Sequence, residues 1–179
     1  MRVIRLIAPF VAYTVAFFLA VLVIGLWAWV AGLALLLLAY RSAARACRFE
    51  IRYFWEMFAG AIIARLAVVT VAVALVGDVD AGVTALWILV EVVAVSGIFA
   101  PTLGIVVLAI AVAGALALAG EWWLLYWMED RYGPVLFRVA GEYGEVVIMA
   151  IVLAIDLLRN LGQLGAACWL KKRRTSTAA

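Results

Sequence analysis

Histidine is absent from this 179-residue chain, and the only lysines, Lys171 and Lys172, lie near its end. Without histidine there is no histidine-ligated haem, no histidine metal site and no imidazole general base. Lysines confined to the tail also remove a membrane-buried Schiff base. Two separated cysteines, Cys47 and Cys168, cannot supply a four-cysteine iron–sulfur cluster or structural zinc. No glycine-rich loop ends in Gly-Lys-Ser/Thr, so ATP is not held by that device. No cofactor and no metal is expected. Acid catalysis by Asp156 with Glu91 is chemically conceivable, but nothing else in the chain supports an enzyme.

Charge is scarce as well, at 14% of residues, and hydrocarbon is abundant: 70% of residues are hydrophobic and the mean hydropathy is +1.22. Soluble domains sit near 45–50% apolar and about 25% charged. The expected fold is therefore all-α, a polytopic integral membrane helical bundle forming a single transmembrane domain over residues 1–179. No linker or low-complexity tract divides it.

Leu6 to Tyr40 is almost unbroken hydrocarbon. As one helix it would extend roughly 50 Å, against a bilayer core of about 30 Å. A hairpin turning near Gly25 to Trp29 fits better, with two tryptophans at an interface. Met57 to Val76 is the next span, closed by the acidic turn Gly77 to Gly82. Val83 to Ala119 is again too long for one crossing, and Ser96-Gly97 with Pro101 to Gly104 reads as its break. Glu121 to Glu145 is aromatic and mixed in charge, an outer interfacial segment (residues 121–145) with a turn at Gly133-Pro134. Val146 to Leu170 is the last span.

Six transmembrane helices result, with five as the alternative if Leu6 to Tyr40 stays one helix. Arg2 and Arg5, a basic segment over residues 41–56 and a basic tail over residues 171–179 then share one face. By the excess of basic residues inside, that face is cytoplasmic, with both termini there and a prokaryotic cytoplasmic membrane as the expected location. The apolar run after Arg5 exceeds the about 7–15 residues of a cleaved signal core, so an uncleaved anchor is expected.

Arg41, Arg45, Arg48 and Arg52 recur at intervals of four, seven and eleven, a stripe on one helix face. Such a stripe could hold anionic lipid headgroups or an acidic partner, but ordinary inside-positive topology with snorkelling arginines is the plainer reading. Nucleic acid is not expected, because no folded domain surrounds the stripe. Cys47 and Cys168 both fall near the inner face and are read as packing residues.

The functional signal lies in charges within the spans. Arg65 and Glu91 sit near the middle of neighbouring spans and are expected to pair, directly or through water. Asp156, Arg159, Asn160 and Gln163 follow at spacings of three, four and seven, which puts all four on one helix face. Charges in hydrocarbon are costly, so these faces should look inward. The expected function is a small transporter or channel, moving a solute, ion or proton through this polar interior. The alternative is a non-catalytic assembly subunit whose polar faces pair with helices of a larger complex. The bilayer, a homo-oligomer or a larger membrane complex are the expected partners.

Overall fold

Backbone amides in lipid have no water to bond, so a chain this apolar satisfies them within helices. The computed structural model describes residues 2–75 and 81–177. Among these there is no strand. Six α-helices follow in order: α1 (Arg2–Ile24), α2 (Ala28–Ala46), α3 (Phe54–Leu75), α4 (Ala81–Leu103), α5 (Val107–Ala140) and α6 (Gly144–Thr177). Asp78 and Asp80 of the expected acidic turn lie outside the described residues.

Short 3-10 turns join α1 to α2 at Gly25–Trp27 and α4 to α5 at Gly104–Val106. Gly25 (φ 54°) and Gly104 (φ 58°) take the left-handed conformation there, which is cheap only without a Cβ. α1 packs along α2, each later helix packs on the one before it, and α6 returns to α1 to close the bundle. Large apolar side chains cover much of the outside, among them Ile105, Leu75 and Leu116. This is an all-helical integral membrane protein.

Counted as continuous apolar helical stretches, four segments are long enough to cross a bilayer: Ile4–Ala46, Phe54–Leu75, Gly82–Val135 and Val146–Thr177. That count is four, not the six (or five) expected from the sequence. The difference arises because the turns at Gly25 and Gly104 stay helical in character and do not interrupt their runs.

Three local expectations are corrected. Ser96-Gly97 does not break the third run, because α4 continues through it; the break falls only at the end of the expected Pro101 to Gly104 stretch, where α4 stops at Leu103 and Gly104 opens a turn. Gly133-Pro134 makes no turn, since α5 runs on to Ala140. The arginine stripe does not exist as a helix face. α2 ends at Ala46, and Arg48 (φ 58°) and Tyr53 (φ 52°) bracket a loop before α3. Arg41 and Arg45 are on α2, while Arg48 and Arg52 are in that loop. Arg41 instead stacks on Phe54 and Trp55, at 4.6 and 4.3 Å, and Arg52 pairs with Glu50.

The loop is tied to distant elements. The Phe49 amide donates to the Ala44 carbonyl (2.9 Å) and the Glu50 amide to Thr102 Oγ1 (3.1 Å). Lys171 Nζ donates to the carbonyls of Cys47 (3.2 Å) and Arg48. Cys47 and Cys168 meet here, Sγ to Sγ at 2.7 Å.

Candidate functional site

Charged side chains enter the bundle from four helices. Arg65 comes from α3, Glu91 from α4, Glu121 from α5, and Asp156 with Arg159 from α6. Each α6 residue sits on the inward stripe, three or four positions from the next, with Leu153, Leu164 and Ala167 as its apolar members. The same logic applies to α5. Val107, Ile110, Leu118 and Glu121 are buried at helical spacing, so a carboxylate occupies a core position.

Arg159 is the hub. Its Nε donates to Glu121 Oε1 (2.8 Å), and its Nη2 donates to Glu91 Oε1 (3.3 Å) and to Asp156 Oδ1. Arg65, only 2% exposed, reaches Glu91 at 3.8 Å, donates to the Trp87 carbonyl and lies 5.2 Å from the Trp87 ring centroid. The expected Arg65–Glu91 pair is therefore present, and Glu91 joins it to the Asp156–Arg159 pair.

A neutral polar chain leads away from the charges. Tyr13 Oη donates to Asp156 Oδ2 (3.1 Å), and Asn160 Nδ2 donates to the same oxygen (3.0 Å). Asn160 has no exposed surface. Tyr40 Oη lies 2.9 Å from Asn160 Oδ1 and 2.7 Å from Gln163 Oε1. A phenol has one proton to give, so it serves one amide oxygen and accepts from the other amide once that group is turned. Gln163 rests against Gly114 of α5, where any Cβ would collide with its amide nitrogen.

Two cavities flank this layer. The larger, about 70 Å³, is lined by Tyr13, Trp29, Arg65, Trp87, Glu91, Glu121, Trp122 and Asp156, among others. The smaller, about 10 Å³, is lined by Glu91, Arg159 and Gln163 with Ser96 and several apolar residues. Glu91 borders both. Trp29 stacks between Trp87 and Trp122, each ring 5.4 Å away, so Trp29 and Trp122 serve the interior and not an interfacial belt.

All six residues expected in the polar interior thus come together, and the sequence reading missed four of their companions. Glu121 was hidden among tryptophans, although extending the α5 stripe from Ile110 and Leu118 would have found it. Tyr13, Tyr40 and Trp87 stand alone in apolar runs, with no periodic polar signal. The stripe arginines take no part. Among the described residues, no group of acids, cysteines or histidines has the arrangement of a metal site.

Comparison with family models, with curated proteins and with solved structures gave no match for this chain.

Proposed function

We propose that the protein is a small transporter or channel that carries a proton or a monovalent cation through its polar interior. The observation that carries this reading is a surplus of acidic groups. Glu91, Glu121 and Asp156 supply three acidic groups, and Arg65 and Arg159 two guanidiniums, leaving one carboxyl over, which must hold either a proton or another cation. A latch that only fixes helix register works best when neutral, since buried charge without a partner costs several kcal/mol. An extra carboxylate beside a cavity instead makes a place for one positive charge. Glu91, bordering both cavities, is the residue through which that charge would pass.

The inward direction of the charges weighs against an assembly subunit. Its polar faces would be expected on the outside, toward partner helices, whereas here they pair with one another. In the proposed topology the chain forms one domain of six crossings, because α1 packs along α2 and α4 along α5 as hairpins. The loop carrying Arg48 and Arg52 and the α6 tail share one end, which we assign to the cytoplasmic side, with both termini. Arg45 and Arg48, both exposed, remain available there to anionic headgroups, while Arg41 is stacked on aromatic rings and Arg52 paired with Glu50.

Substitution separates the readings. Glu91→Gln and Asp156→Asn in reconstituted vesicles should each abolish flux while expression stays normal. If wild type and both variants show the same flux as empty vesicles, and the variants instead lose a co-purifying membrane partner, the assembly reading stands and transport falls.

A further inference from the structure

We propose that the 70 Å³ cavity binds a small ammonium ion that also carries a hydroxyl or carbonyl oxygen. This names the cargo class for the transport reading, on which it rests. Three features of the cavity point the same way.

Its size and lining are the first. One water needs about 10–15 Å³, while an apolar cavity of about 150 Å³ takes benzene, so 70 Å³ suits a molecule of a few heavy atoms. Apart from the charged cluster and Tyr13, the wall is aromatic and aliphatic, with Phe17, Trp29 and Trp122 prominent. Small-molecule sites have this composition, mostly apolar with a few convergent polar groups.

The surplus acid is the second feature. Glu91, Glu121 and Asp156 all line the cavity and outnumber the two guanidiniums by one acidic group. A single ammonium balances that excess, and its N–H groups suit carboxylate oxygens. A multivalent metal has no matching ligand arrangement among the described residues.

The third feature requires an acceptor. Arg65 Nε and Trp87 Nε1 are buried donors with no hydrogen-bond partner, and each residue is 2% exposed. Both residues are on the wall of this cavity. Buried unpaired donors are rare and costly, so a native site supplies them with an oxygen. In the arrangement present no carboxylate bonds either donor: their contacts run to Arg159, Tyr13 and Asn160 and, at 3.8 Å, to the other end of Arg65. An oxygen on the ligand can be.

Equilibrium binding of radiolabelled ethanolamine to the purified wild-type protein tests this, with propylamine as competitor. The two amines have the same number of non-hydrogen atoms and differ in the hydroxyl. Ethanolamine should bind, and propylamine should compete at least about tenfold less well, since a site built to bond an oxygen rejects the analogue without it. Trp87→Phe, which keeps a ring and removes the N–H, should narrow that preference, and Asp156→Asn should weaken both amines. No ethanolamine binding, or equal competition by propylamine, overturns the proposal. If proton flux persists while ethanolamine fails to bind, the transport reading survives and only the cargo class is wrong. Binding without any flux has the opposite meaning.

Discussion

Arg159 holds three carboxylates from three helices, so its loss leaves two buried acids and the partly buried Glu91 facing Arg65 alone. Removing one partner of a buried ion pair costs about 3–5 kcal/mol, and Arg159→Leu should fall in that range or above it when unfolding is followed in detergent. Arg159→Lys should lose less, because it keeps the charge but gives up the planar fork that reaches Glu121 and Glu91 together. Arg52→Ala is the control. Arg52 and Glu50 are largely exposed, and their pair should be worth less than about 1 kcal/mol. The residues on α6 were legible in the sequence because four polar side chains in an apolar run mark a helix face. Arg65 and Glu91 were legible because a charge at mid-span demands a partner. Tyr13 and Tyr40 were not, since a tyrosine is as much at home in an apolar core as in a polar network.

At the scale of the helices, close approach sets the packing. A Cβ at Gly32 of α2 would lie 2.6 Å from the Phe17 ring of α1, and that ring is already stacked with Tyr13 and set edge-on to Trp29. Gly32→Ala should therefore destabilise the α1–α2 hairpin by about 1–3 kcal/mol, the usual cost of overpacking. Gly97 of α4 faces the thioether end of Met57, which can swing aside. Gly97→Ala should cost less than Gly32→Ala in the same thermal or denaturant measurement; an equal or larger loss would contradict this difference in packing. Helix positions followed from the long apolar runs, and the turn near Gly25 from excess length. Helix ends did not follow. α2 stops at Ala46 without glycine or proline, because Arg48 adopts a left-handed conformation held by contacts to α6, and such tertiary ties leave no local mark. Pro134 misled in the other direction, since α5 runs on past it to Ala140, whereas the Pro101 to Gly104 stretch did mark the end of α4.

For the whole molecule, the proposed six crossings would place the Gly25–Trp27 turn outside and the chain's first residues inside. With Cys47 and Cys168 replaced by serine, a cysteine at Leu26 should react with a membrane-impermeant maleimide in intact cells. One at Arg5 should react only after permeabilisation. Five crossings would give labelling at Arg5 and protection at Leu26. Composition alone was enough for the class, because a chain 70% hydrophobic has no stable fold in water. It could not give the surplus of acidic over basic side chains in the interior, which depends on Glu121 turning inward among its tryptophan neighbours.

Purified protein, reconstituted alone into liposomes with an imposed gradient of protons, sodium, potassium or ethanolammonium, puts the uncompensated acid to the most direct test. At least one of these gradients should collapse faster than in protein-free vesicles, and Asp156→Asn should restore the slow rate. Wild-type vesicles that hold every gradient as long as empty ones would contradict a conducting interior.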